Sequence, residues 1–135
     1  MNIHFAYANS LSRNFARHHL AGSESDISVT TSGSLAAGIE ATNTLETLDA
    51  VMLDMQMPDM NGLQGLRNFR HSCRHKAPIA LTAASMDTLS SDNIMGAGAA
   101  AFLPYDIEPD ALVTVLRLII EGESYMPSAM RTRKD

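Results

Sequence analysis

The chain has 135 residues, of which 45% are hydrophobic and 19% charged, a length and composition that fit one globular domain with one core. Its net charge of −5 argues against a nucleic-acid-binding surface within these residues, since such domains are usually basic. The one cysteine cannot form an internal disulfide, which suits a reducing cytoplasm, and no apolar run approaches the ~20 residues of a membrane-spanning helix.

Short apolar runs alternate with helical patterns along the chain. The first run, residues 3–8, predicts a strand, and the helix after it is predicted to end at Gly22 and to bury Leu11, Phe15 and Leu20. The other predicted strands are residues 26–31, 50–55, 78–83 and 99–104. The other predicted helices are residues 35–45, 63–75, 86–97 and a last one capped by Asp106 that runs to Ile120 and stops at Gly122. Five strands each followed by a helix predict a parallel α/β sheet with helices on both faces.

One carboxylate is predicted to lie at the functional edge of this sheet. The run at residues 50–55 is apolar at both odd and even positions, as in a strand buried on both faces. Asp54 lies near its end. In parallel α/β sheets the functional crevice lies at the carboxyl ends of the strands. The end of the first strand, near Tyr7, and the end of the fifth, near Tyr105, are predicted to converge on Asp54.

Four segments, in order, resemble the receiver domains of two-component response regulators. They are DAVMLDMQMPDMNG at residues 49–62, IALTA at 79–83, AGAAAFLPYD at 97–106 and IEGESYMPSAM at 120–130. The last of them is similar to the end of receivers in the NarL/FixJ (LuxR-type) subfamily. The resemblance implies a flavodoxin-like (βα)5 fold with one five-stranded parallel sheet in the order 2-1-3-4-5. It also implies a receiver domain at residues 1–122 and, at 123–135, the start of a linker toward a DNA-binding domain.

The resemblance assigns roles to individual residues. Asp54 takes the position of the aspartate that accepts a phosphoryl group from a histidine kinase, and Gln56 would offer its backbone carbonyl to Mg²⁺. Thr82 and Phe102 take the positions of the switch hydroxyl and the switch aromatic. The loop beneath the site would be shaped by Met57, Pro58 and Gly62.

Three residues depart from the family pattern. The family has an acidic pair after the first strand, where this chain has Tyr7 and Ala8, and a lysine after the fifth-strand proline, where it has Tyr105. Phosphoryl transfer to a carboxylate needs its charge neutralised, and Mg²⁺ prefers several carboxylate oxygens. We therefore expect an altered, degenerate site without a Mg²⁺ cofactor, in which the hydroxyl of Tyr7 or Tyr105 is a candidate hydrogen-bond donor to Asp54.

Three functions compete on this basis. The first is a regulatory module of a transcriptional regulator, which dimerises or binds a partner without Mg²⁺-dependent phosphorylation. The second is a working phospho-acceptor at Asp54 served by a histidine kinase, and the third is a sensor that binds a small ligand in the same crevice. No nucleophile–base pair and no glycine-rich phosphate loop indicate an enzyme.

The last helix is the predicted dimer face. Apolar residues extend beyond its core stripe, which favours contacts on more than one side, and the predicted homodimer residues are Val113, Arg117 and Ile120. The alternative is that a following linker covers this helix. We expect a cytoplasmic protein without membrane contact, which meets DNA only through a domain beyond these residues.

Overall fold

The computed structural model describes residues 1–23, 26–83, 91–105 and 107–126. The strands are β1 (Asn2–Ala6), β2 (Ser28–Ser32), β3 (Ala50–Asp54), β4 (Ile79–Ala83) and β5 (Ala101–Pro104). The helices are α1 (Ser10–Ser23), α2 (Leu35–Thr44), α3 (Leu63–Ser72), α4 (Ser91–Gly96) and α5 (Pro109–Ile120). The strands form one parallel sheet in the order β2-β1-β3-β4-β5, which confirms the predicted fold.

The core lies on both faces of the sheet, as the apolar pattern of β3 predicts. Val51 and Leu53 pack in the cluster that contains residues of α2, α3 and α4, which we call the α2–α4 core. Ala50 and Met52 pack in the cluster that contains residues of the two helices α1 and α5, which we call the α1–α5 core. A central parallel strand is covered on both sides, so its residues are apolar at both odd and even positions.

Helix α1 does not bury the face that the spacing predicts. Leu20 is buried, but Leu11 is 76% exposed and Phe15 is 53% exposed. Ala16, one residue along from Phe15, is buried instead, so the stripe on the core is shifted by one position around the helix. Two large apolar side chains of α1 are therefore left at the surface.

The start of α5 also differs from the prediction. Glu108 occupies the residue before the helix and makes no side-chain capping bond, and Pro109 opens the helix. The proposed cap, Asp106, and residues 86–90 of the predicted fourth helix lie outside the described residues. At the other end Gly122 has a φ of +100° and its N–H donates to the carbonyl of Ile119 at 3.1 Å, which confirms the predicted stop.

The predicted dimer residues of α5 have different environments. Val113 is 6% exposed and packs in the α1–α5 core, so the prediction that its side chain forms a surface contact is wrong. Ile120 is only partly buried, and Arg117 reaches Asp26 with an N–O distance of 3.4 Å. Leu118 is exposed beside them. A dimer face on the outer side of α5 stays a prediction, with Val113 removed from it.

Residues beyond α5 pack against the sheet. The N–H of Tyr125 donates to the carbonyl of Ala100 at 2.9 Å, and the N–H of Phe102 donates to the carbonyl of Tyr125 at 3.1 Å. Met126 is 4% exposed and joins the α2–α4 core. The predicted linker at residues 123–135 stays a prediction; of its residues, Tyr125 covers the outer edge of β5 and Met126 lies in the core.

Candidate functional site

Asp54 lies at the end of β3, where the sequence predicts it, and is only 4% exposed. Thr82, at the equivalent height on the neighbouring strand β4, is its register partner and is also buried. The N–H of Met55 donates to the carbonyl of Thr82 at 2.9 Å, so the two strand ends stay paired up to the crevice. The predicted acceptor position and the predicted switch hydroxyl are thus brought together.

The loop after Asp54 turns back toward it. The backbone N–H of Gln56 donates to Oδ1 of Asp54 at 2.9 Å. The N–H of Met60 donates to the carbonyl of Met57 at 3.0 Å, which closes a turn around the exposed Pro58, and both methionines are buried. This hydrogen-bonded turn closes the loop that follows Asp54.

Two adjacent residues complete the loop through the left-handed region of backbone space. Asn61 has a φ of +54° and Gly62 a φ of +64°, the latter immediately before α3. Inside that helix, a Cβ on Gly65 would collide with the backbone of Met60. The loop and α3 are therefore packed backbone to backbone and are expected to move together.

Tyr105 provides a side-chain hydrogen bond to Asp54. Its hydroxyl donates to Oδ1, the same oxygen that accepts from Gln56. Burial raises the pKa of Tyr105, and the hydrogen bond to Asp54 and the carboxylate charge raise it further. A protonated phenol therefore binds the carboxylate from the position at which the family has a lysine.

Tyr7 reaches the same region but makes no hydrogen bond through its hydroxyl to any described residue. Its ring packs edge to face on Phe5, with ring centroids 5.6 Å apart. Burial raises the pKa of Tyr7, and the nearby Asp54 carboxylate and Tyr105 add to the shift. The two tyrosines flank one carboxylate, but only Tyr105 is bonded to it.

Ala8 is exposed and contributes its backbone instead of a carboxylate. The guanidinium of Arg13, in the first turn of α1, donates to the carbonyl of Tyr7 at 2.7 Å and to that of Ala8 at 3.0 Å. The same group packs on Gly33, where a Cβ would stand 3.1 Å from Nη1. In the sequence, the one signal for Arg13 is that a cation follows shortly after the first strand.

Phe102 is fully buried in β5 and pairs with Leu81 of β4. Its ring lies in the α2–α4 core, while its N–H is bonded to Tyr125 of the tail. The predicted switch aromatic is therefore inward-facing in this structure. It is also the residue of β5 at which the chain after α5 is attached.

Asp59 has a structural role that the sequence pattern does not predict. Its Oδ1 accepts from the N–H of Leu35 at 2.9 Å and its Oδ2 from the N–H of Ala36 at 3.0 Å. Burial acts to raise its pKa, but these backbone hydrogen bonds outweigh it and hold the pKa below the usual range. Asp59 thus caps the start of α2, together with Ser34.

The residues of the crevice do not fit a Mg²⁺ ion. The acidic-pair positions hold Tyr7 and Ala8, and Oδ1 of Asp54 is already occupied by two donors. Across the described ranges no group of three or more His, Cys, Asp or Glu side chains is arranged to hold a metal. Mg²⁺ binds through several hard oxygen ligands, and one engaged carboxylate does not supply them.

An open α/β sheet with a buried aspartate at the end of the third strand, a hydroxyl beside it and an aromatic on the fifth strand defines a signalling domain of the response-regulator class. The family model described as "Response regulator receiver domain" matches residues 9–117. The chain belongs to this family. The matched segment begins after Tyr7 and Ala8, so these two departures fall outside it.

Known relatives agree with this assignment. The chain is 31% identical over 98 residues to "Response regulator UvrY" of Escherichia coli strain K12, covering 71% of this chain and 44% of that protein. It is 28% identical over 101 residues to "Glycerol metabolism activator" of Pseudomonas putida, covering 74% of this chain and 45% of that one. The chain thus spans less than half the length of these curated relatives.

Solved structures show the same fold. A LuxR family DNA-binding response regulator from Silicibacter pomeroyi superposes with a TM-score of 0.78 at 22% identity, covering 96% of this chain and 99% of that one. A two-component response regulator from Clostridium difficile also gives 0.78, at 15% identity, covering 90% and 97%. No helix in the described parts of the chain is both long and apolar enough to span a bilayer.

Proposed function

We propose that this domain is a degenerate receiver, which regulates dimerisation or partner binding without Mg²⁺-dependent phosphorylation. The observation that carries the proposal is the hydrogen bond from the Tyr105 hydroxyl to Asp54. A phenol at this position satisfies the carboxylate internally but brings no positive charge to it. The crevice is thereby set up to hold Asp54 in one state.

The charges around Asp54 support this function. A transferred phosphoryl group needs cations that neutralise the charge developing on its oxygens. Tyr105 and Tyr7 are neutral phenols at neutral pH, burial raises the pKa of each further, and Ala8 offers no side-chain ligand. Arg13, the nearby cation, is already bonded to two carbonyl oxygens of the β1 end.

A titration with Mg²⁺ and beryllofluoride tests the proposal. Amide signals of the crevice in the wild type should not shift saturably at millimolar Mg²⁺, with or without beryllofluoride. A triple variant, Tyr7→Asp with Ala8→Asp and Tyr105→Lys, restores the family pattern and should bind both. Adding Asp54→Asn to the triple variant is the control and should abolish beryllofluoride binding. Saturable binding by the wild type would overturn the proposal.

The competing function is a working phospho-acceptor. It is favoured by the register of Asp54 with Thr82 and by the buried Phe102 on the next strand. Treatment with acetyl phosphate or a histidine kinase, followed by mass measurement, distinguishes the two functions. An added phosphoryl mass that is absent in Asp54→Asn, together with a tenfold change of the dimer constant (~1.4 kcal/mol), would establish the phospho-acceptor.

The output that we propose is a homodimer or a complex with a regulatory partner, through the outer side of α5. Leu118 is exposed there and Ile120 is partly exposed. Ile120→Glu should weaken self-association in sedimentation experiments, with Met95→Glu, on the exposed side of α4, as the control. A wild type that stays monomeric at high concentration would contradict the dimer. Transcriptional regulation would require DNA contacts from residues outside this chain, because the chain itself has a net charge of −5.

A further inference from the structure

A recess opens beside the crevice, between α1 and the chain that leads into α5. Its volume is about 480 Å³, within the range of small-molecule sites. Its floor is formed by core side chains, among them Phe5, Leu20 and Leu112, which are buried in the α1–α5 core. The recess therefore reaches into the domain and is not a flat surface.

The mouth of the recess is apolar and aromatic. It is lined by Leu11 and Phe15, the two large side chains that α1 leaves exposed. The ring of Phe15 stacks on the imidazole of His19, with centroids 4.0 Å apart and an interplanar angle of 25°. Pro104 also lines the recess. Flat rings on exposed side chains beside a deep apolar floor suit a flat, apolar ligand.

The polar groups define the other half of the ligand. Tyr7 lines the recess, and its hydroxyl donates to no described residue, whereas the hydroxyl of the neighbouring Tyr105 is committed to Asp54. The Tyr7 phenol is protonated at neutral pH, and burial raises its pKa further, so its hydroxyl can donate to a ligand. Glu108, an acidic and exposed residue, is also among the lining residues, and its charge disfavours an anionic ligand.

We propose that this recess binds a neutral aromatic carbonyl compound, with its ring against Phe15 and Leu11 and its carbonyl oxygen accepting from the Tyr7 hydroxyl. The site lies beside the altered phospho-acceptor crevice and shares Tyr7 and Tyr105 with it. It goes beyond the proposed function, because it needs neither Mg²⁺ nor a modification of Asp54. Occupancy would act on the crevice through these two tyrosines.

A pair of model ligands tests the site. Amide shifts of the whole chain are followed on titration with 1-indanone, which has a flat ring system and a carbonyl, and with indane, which lacks the carbonyl. 1-Indanone should produce saturable shifts at Tyr7, in α1, at Tyr105 and in residues 107–112. Tyr7→Phe should weaken 1-indanone about fivefold, equal to ~1 kcal/mol, and leave indane unchanged. Phe15→Ala should weaken both compounds.

Two matched variants control for unspecific effects. Tyr125→Phe removes a hydroxyl outside the recess, and Leu118→Ala removes an exposed apolar side chain from α5; neither should change the affinity. The absence of saturable shifts at millimolar 1-indanone would overturn the proposal, as would equal effects of Tyr7→Phe and Tyr125→Phe. Shifts of the same residues with protein concentration alone would identify the recess as a contact between copies, and would also overturn it.

Discussion

β1 and β5 flank the Asp54 strand on opposite sides, and each delivers a tyrosine to the crevice. Tyr105, after β5, is partly exposed and donates to Asp54, whereas Tyr7, after β1, packs on Phe5 and has no such bond. The same side chain therefore acts as a polar ligand on one flank and as apolar packing on the other. Convergence of strand ends brings groups near each other, but the local packing decides which of them bond.

The two flanks are also fixed in different ways. On β1 the buried His4 bridges to β2, with Nδ1 2.7 Å from the Thr30 hydroxyl and Nε2 2.9 Å from that of Ser32. On β5 the outer edge is closed by backbone hydrogen bonds to Tyr125. One flank thus depends on a titratable side chain and the other on the main chain. The β1 side should respond to acid, and the β5 side should respond to changes in the tail.

The largest expected effect is the acid response of His4. Burial lowers the pKa of His4 from 6.5 to about 4, so the unfolded chain binds this proton more readily than the folded one. The free energy of unfolding should therefore fall as the pH drops from about 6.5 to about 4, by ~3 kcal/mol in total. Urea unfolding across this range measures it.

The control for this effect is a second histidine. His4→Gln removes the titration and should flatten the dependence between pH 6.5 and 4, whereas His71→Gln, on the exposed side of α3, should retain it. The Asp59 carboxyl, whose pKa is lowered, contributes stability that is lost only at lower pH. Equal slopes in the wild type and His4→Gln would contradict the role of the buried imidazole.

Next in size is the loss of the tail anchor. Met126→Ala should reduce the free energy of unfolding by ~2 kcal/mol, since a buried methionine is truncated and the tail is free to detach. It should also speed hydrogen exchange at the amide of Phe102, which donates to Tyr125. The exposed Met95→Ala is the matched control. Unchanged exchange at Phe102 would show that the tail bonds do not depend on Met126.

The two tyrosines provide the third test. Tyr105→Phe removes the donor to a buried carboxylate and should destabilise the domain by ~1.5 kcal/mol. Tyr7→Phe keeps the packing on Phe5 and should cost under ~0.5 kcal/mol. Equilibrium unfolding at neutral pH gives both values. Equal losses would remove the distinction between the flanks.

The smallest expected effect concerns the β1–α1 loop. Arg13→Gln should destabilise by about 0.5–1 kcal/mol, because two hydrogen bonds to the loop carbonyls are lost in a partly solvated place. Arg17→Gln, which loses one bond to the Thr31 hydroxyl, is the comparison. Amide exchange at Ala8 and Asn9 should quicken only in Arg13→Gln, and a uniform response would argue against a local role.

Most of the sheet was predictable, because its information is local. The apolar residues at odd and even positions of β3 and β4 and the regular alternation of strands and helices predict a parallel sheet covered on both faces, and the resemblance to receiver domains implies the strand order that the structure has. The place of Asp54 at the end of β3 is predicted from the apolar pattern, whereas its assignment to the acceptor position comes from the resemblance. Boundaries were less well predicted: β1 ends at Ala6 and not at residue 8, because the chain turns there toward Arg13.

The contacts that distinguish this site were not predictable from spacing. Which tyrosine bonds to Asp54 depends on side-chain directions at two loop ends, and the capping role of Asp59 depends on a helix 23 and 24 residues away in sequence. The exposure of Leu11 and Phe15 arises because α1 rests on the sheet through a neighbouring stripe. The pairing of Tyr125 with β5 is set by tertiary contacts that the tail composition does not encode.

The aromatic composition makes this domain its own optical reporter. The chain has no tryptophan and three tyrosines, and two of these tyrosines are the ones that flank Asp54. In a Tyr125→Phe variant, all tyrosine emission would come from Tyr7 and Tyr105. A phenol bonded to a carboxylate and a phenol packed on an aromatic ring differ in their emission and ultraviolet absorption. Any event at the crevice would therefore change the intrinsic spectrum, without an attached label.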